Sequence, residues 1–177
     1  PPPRTRLPYP ANSATIAIGT GTLDGATNSC SVSVTNANAT ITQSTGTMSC
    51  VGLTVSAGSY TLSGAGAINA SGSVALTTGT FTEFTSTLTM TGAGTTLDIS
   101  APNNLYSLGI NSAGTVSMAA LSDDLTCGGN LDITAGTFDT NGTTLSVTGN
   151  ATVNDTLDGS AAPDSITVSG QLRYDRY

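Results

Sequence analysis

The chain has 177 residues, of which only 8% are charged, against a usual share of about 25%. Eleven acids face four bases, for a net charge of −7, and the bases are arginines at the two ends: Arg4, Arg6, Arg173 and Arg176. A body from Leu7 to Leu172 without one positive group argues against nucleic acid and anionic membrane surfaces as partners, and no run of 18 apolar residues is present to insert into a bilayer.

Low charge with abundant Ser, Thr, Gly and Asn also fits disorder, but disordered chains are poor in β-branched residues. Here Thr, Val and Ile alternate with polar residues, so an ordered chain is expected. It begins at Pro1 rather than Met, which reads as a mature or trimmed product whose leader has been removed.

Residues 1–12, PPPRTRLPYPAN, are expected to form an extended arm, because proline fixes φ and removes backbone donors. From Ser13 the text changes to short apolar–polar–apolar segments. Ile16-Ala17-Ile18, Val32-Ser33-Val34, Leu53-Thr54-Val55, Leu88-Thr89-Met90, Leu131-Asp132-Ile133 and Ile166-Thr167-Val168 are examples. Period two marks strands with one buried face, and no window carries the i, i+3, i+4, i+7 pattern of a helix.

Glycine punctuates these strands by one formula, as in Ser56-Ala57-Gly58-Ser59-Tyr60 and Thr134-Ala135-Gly136-Thr137-Phe138. Gly58 and Gly79 are 21 apart, Gly114 and Gly136 are 22 apart, and Gly79 and Gly114 are 35 apart. The last interval predicts an irregular turn or a slipped register. Thr77–Gly92 also aligns without a gap on Thr134–Gly149, with Gly79/Gly136, Phe81/Phe138, Leu88/Leu145 and Gly92/Gly149 among the identities. Agreement on glycines and apolar positions, rather than on reactive side chains, marks a structural repeat.

A period near 20 with glycine corners predicts an all-β fold, a parallel β-solenoid with coils of about 20 residues and essentially no helix. The expected organisation is an arm over 1–12, a solenoid over 13–170 and a tail over 171–177. About eight coils at roughly 4.8 Å per coil give a rod near 40 Å long. Gly136 and Gly149 are expected at corners, with Phe138, Leu145 and Val147 in the core.

The run Asn104–Val116, followed by Asp124–Thr134, Thr134–Gly149 and Asn150-Ala151-Thr152-Val153, resembles the repeats of large secreted bacterial surface and adhesin-like proteins. It is also similar to β-solenoid passenger and fibre segments. The resemblance spans about residues 50–170. It implies a solenoid in an extracellular setting and no catalytic residues, since such proteins serve as stalks, adhesins and filaments.

The chemistry-bearing residues are few. There is no histidine, and no CxxC, GxSxG or phosphate loop. The one adjacent acid pair, Asp123-Asp124, is expected in a solvated turn. Gly128-Gly129-Asn130-Leu131-Asp132 does not match the calcium-binding nonapeptide. No catalytic, cofactor or metal residue is therefore assigned. Cys30 and Cys50 stand in similar contexts 20 residues apart, so stacked turns would leave them either as two buried thiols or as a disulfide. A disulfide would stabilise by roughly 3 kcal/mol and imply an oxidising compartment. Sequons at Asn38, Asn69, Asn141, Asn150 and Asn154 are candidate glycan attachment points, with asparagine in a turn as the plainer reading.

An open solenoid end exposes strand edges, which natural solenoids cap or use for assembly. The candidate assembly contacts are Arg4, Arg6 and Tyr9 in the arm, Asp155, Asp158 and Asp164 near the far end, and Arg173, Tyr174, Arg176 and Tyr177 in the tail. The expected function is a non-enzymatic structural subunit of an extracellular filament or surface layer, joined head to tail as a homo-oligomer. The alternatives are an adhesin stalk segment or a phage fibre or capsid decoration protein and, last, a solenoid carbohydrate-active enzyme.

Overall fold

The computed structural model describes residues 15–18, 22–24, 30–120, 123–161 and 165–175, the first two segments through their backbone alone. Arg4, Arg6, Tyr9, Asp164, Arg176, Tyr177 and the whole 1–12 arm lie outside the described residues.

Alternating short strands and corners wind the chain into a parallel β-solenoid of about seven turns, with equivalent positions about 21 residues apart. The first turn holds β1 (Thr15–Ile18), β2 (Thr22–Asp24) and β3 (Val32–Val34). The next three hold β4 (Thr40–Gln43), β5 (Thr47–Cys50) and β6 (Leu53–Val55); β7 (Ser59–Leu62), β8 (Ala67–Ala70) and β9 (Val74–Leu76); and β10 (Thr80–Thr82), β11 (Thr87–Met90) and β12 (Thr95–Ile99). In the fifth, one long strand, β13 (Ser107–Met118), bends across two walls. The sixth holds β14 (Leu125–Cys127) and the similarly bent β15 (Leu131–Asp139). The seventh holds β16 (Thr144–Val147), β17 (Ala151–Val153) and β18 (Thr156–Asp158), and β19 (Ser165–Val168) and β20 (Leu172–Tyr174) begin another.

Strands pair in parallel with their counterparts in neighbouring turns, which makes three walls. The first wall stacks β1-β4-β7-β10 and resumes as β14-β16-β19. The second runs β2-β5-β8-β11, then through the first half of β13, the first half of β15, β17 and β20. The third runs β3-β6-β9-β12 and on through the second halves of β13 and β15 to β18.

Strand alternation sends every second residue inward, and register stacks those residues in columns. Met48, Ile68, Leu88, Leu108, Leu131 and Ala151 form one column; Cys50, Ala70, Met90, Ile110, Ile133 and Val153 form the next. All are buried, and each large aliphatic contributes about 1.5–3 kcal/mol by leaving water. Phe138, Leu145 and Val147 join this core as expected.

The repeat is out of phase with the turns. Its two copies are offset by 57 residues (134 − 77), which is two and two-thirds turns of about 21. Thus β10 and β11 lie on the first and second walls, whereas their sequence counterparts, Thr137–Asp139 and β16, lie on the third and first. The 35-residue glycine interval has the same origin: Gly79 precedes a first-wall strand, and Gly114 sits at the bend between the second and third walls. The repeated unit is two successive strands with the corner between them, not one coil. Of the four formula glycines, Gly58 and Gly136 take positive φ, at 65° and 86°.

Candidate functional site

The far end of the solenoid is where the inward columns surface. Ile166 and Val168 continue the column positions of Leu145 and Val147, and Leu172 and Tyr174 continue those of Ala151 and Val153. The earlier residues are buried, while Ile166, Leu172 and Tyr174 are 38%, 52% and 48% exposed. β19 and β20 each pair with one described neighbour, in the preceding turn.

A polar ladder at the corner leads to the same end. The Asn130 N–H donates to Ser107 Oγ at 3.0 Å, the Asn150 N–H to Asn130 Oδ1 at 3.0 Å, and the Gln171 N–H to Asn150 Oδ1 at 2.9 Å. Each side chain thereby satisfies a backbone donor of the next turn. At Gln171 the ladder changes chemistry: its Oε1 accepts from the Arg173 guanidinium at 3.1 Å instead. Arg173 also ends an outward column on the second wall that runs from Ser49 through Asn69, Thr89, Gly109, Asp132 and Thr152.

The acids named from sequence are held locally. Asp155 accepts from the Gly136 N–H at 2.7 Å and from the Thr156 hydroxyl at 3.2 Å. Asp158 accepts from the Ser160 N–H at 3.0 Å. Arg173 and Tyr174 both lie on β20 at the exposed end, on opposite faces, while the two aspartates are spent on corners. Asp123 and Asp124 are likewise corner acceptors, for the Ala101 and Thr144 N–H groups at 2.7 and 2.8 Å.

Cys30 and Cys50 are not joined. On that wall the register advances 21 residues, so Cys30 opposes Val51, whose N–H bonds the Cys30 carbonyl at 2.9 Å. A one-residue offset reverses the face: Cys30 is exposed and Cys50 buried. Among the sequons, Asn38, Asn141, Asn150 and Asn154 are exposed and Asn69 is half-buried. The Asn141 amide nitrogen is committed to the Met118 carbonyl at 2.9 Å, while Asn150 works in the ladder.

Two buried polar groups carry no motif in the sequence. Asn103 lies in the fifth turn, where the first wall keeps only a single bridge, Leu105 with Cys127. Its Nδ2 lies 2.9–3.1 Å from the carbonyls of Leu76, Thr77 and Gly79, and its Oδ1 accepts from the Phe81 N–H at 2.9 Å. Gln43 occupies an inward position, its amide bonding the Gly46 and Ala67 carbonyls at 2.6 and 2.9 Å while its Oε1 accepts from Tyr60. Asn103 falls where the strand alternation lapses, the one signal that could have flagged it.

No family model matches the chain, and comparison with curated proteins and with solved structures gave no match. The fold defines its class: an all-β parallel solenoid.

Proposed function

We propose that this chain is a non-enzymatic structural subunit of an extracellular filament or surface layer, assembling through its solenoid ends and its N-terminal arm. The observation that supports this reading is the exposed inward face of Ile166, Leu172 and Tyr174. Apolar columns and parallel strand edges of this kind are covered when another turn stacks on them. Placed in register, a second copy continues the second wall, its β2 stacking in parallel on β20. Contacts that repeat head to tail without closing generate filaments.

Electron microscopy and light scattering of the wild-type chain, a residue 1–12 deletion and Leu172→Asp test it. The wild type forms rods longer than one solenoid, and both variants shift to short particles. Identical assembly by both variants would sink the reading. The runner-up is a stalk segment of a longer adhesin-like chain, in which the covering turn comes from the same polypeptide; the mass of the protein purified from its source separates the two.

A further inference from the structure

The first wall carries a second surface, unrelated to the ends. Across three consecutive turns its outward positions are Thr40 and Thr42, Ser59 and Thr61, and Thr80 and Thr82. The register makes two straight columns, Thr40-Ser59-Thr80 and Thr42-Thr61-Thr82. Parallel strands set the columns' members about 4.8 Å apart, and residues i and i+2 of one strand about 6.7 Å apart. The result is a two-dimensional grid of hydroxyl and methyl groups on the outer side of the wall, with Thr80 and Thr82 exposed and the other four part-exposed.

Three further properties bear on what this grid can meet. First, its groups are fixed. Threonine is stiff at χ1, and directly beneath it Ile41, Tyr60 and Phe81 are buried, with the two rings 5.6 Å apart and Tyr60 tied to Gln43. Second, its hydroxyls are unspent. Apart from Ser59 Oγ to Thr40 Oγ1 at 3.3 Å, none takes a hydrogen-bond partner among the described residues. Thr91, Thr95, Ser112 and Thr143, in contrast, bond backbone carbonyls. Third, these three strands hold no charged residue, a property shared with β5, β8 and β11 of the second wall, where Ala67 and Asn69 interrupt the hydroxyl columns.

A rigid, neutral hydroxyl grid complements a partner that is itself neutral, flat and periodic. Ordered water is such a partner. The two grid spacings lie close to the two oxygen repeats on the prism face of hexagonal ice. Hydroxyls take lattice positions there, and the methyl groups between them order the water they cannot bond. A charge in the grid would keep its own hydration shell and break the match, since stripping it is costly. We infer that the first wall over β4, β7 and β10 is an ice-binding surface. This is separate from the assembly reading and stands whether or not the ends associate.

The test is partition of the full 177-residue chain into slowly growing ice, with an inert protein of similar size in the same solution. The wild type enters the ice and facets single crystals. Thr61→Lys, at the centre of the grid, stays in the liquid with the inert protein. Thr152→Lys, outward on the second wall between Asp132 and Arg173, enters as the wild type does. Circular dichroism verifies the β-fold of each variant, and Thr42→Lys replaces Thr61→Lys if that chain does not fold. Rejection of the wild type from ice overturns the inference. So does entry of the folded grid variant at the wild-type level, or retention of the wild type on crystalline chitin or cellulose while ice rejects it.

Discussion

At Asn103 one side chain does the pairing that a strand does in the other turns. Three carbonyls and one N–H converge on its amide, and of these the Leu76 carbonyl also accepts from the Ser100 N–H at 2.9 Å. Asn103→Ala removes all of these bonds, so urea unfolding is expected to show a loss of about 2–4 kcal/mol, from the roughly 1–3 kcal/mol cost of each stranded buried group less what water recovers. The buried thiols make a different statement. Burial pushes Cys50 up to about 11 and Cys127 up to about 12, from 9.0. Tyr60 is raised too, first by burial and then by neighbouring Cys50. The folded chain therefore favours the neutral forms. Their contribution is complete below pH 9, where the unfolded thiols are also neutral, and is lost as pH rises towards 11 and 12. Each group sets a limiting slope of about 1.4 kcal/mol per pH unit. Melting temperature should hold steady up to pH 9 and fall above it, with a shallower fall in Cys50→Ala.

At the scale of the element, the repeating object is a pair of strands with the corner between them. Phe84 and Asn141 show this most directly. They occupy matching positions of the two repeat copies, on corners of different walls, yet both adopt φ 47°. Phe84 does so although it is 59% exposed and a bulky residue is strained there. The corner geometry is thus inherited with the unit, whichever wall it lands on. Gly136 shows what a corner needs: with φ at 86°, a Cβ would also fall 2.5 Å from the Gly114 carbonyl oxygen and 2.6 Å from that of Ser112. Gly94 has φ 66° but nothing within 4 Å of the same atom. Gly94→Ala should cost about 1 kcal/mol, the conformational penalty alone. Gly136→Ala should cost about 2–4 kcal/mol, because backbone must also move. Parallel denaturant titrations of the two variants check the difference.

For the whole molecule, stacking of like on like makes stability nearly one-dimensional: each turn is held by the turns beside it. The interior is continuous from Val34 to Val153, and among the described residues the exposed large aliphatic and tyrosine members of the columns lie in β19 and β20. That geometry separates two kinds of exposed surface. Walls present finished faces, on which partners meet side chains, and ends present unfinished ones, on which partners meet backbone and core. The assembly reading draws on an end and the ice-binding inference on a wall, so Leu172→Asp and Thr61→Lys should each leave the other property intact.

Alternation at positions such as Leu53-Thr54-Val55 and Leu131-Asp132-Ile133 made the strands, their inward faces and the turn length legible in the sequence, because those features depend on each residue's own chemistry and period. Strands with small or polar inward residues, β4 with Gln43 and β17 with Ala151, were not marked this way. Only the tertiary structure decided register, and with it every relation across turns. It placed Cys30 against Val51 rather than Cys50, put Asn103 under three carbonyls, and set the two repeat copies on different walls. It also lined up Thr42, Thr61 and Thr82. Local sequence specifies which face a residue takes within its strand. Which residue lies above it depends on corner lengths summed around a whole turn, where a single residue reverses the face.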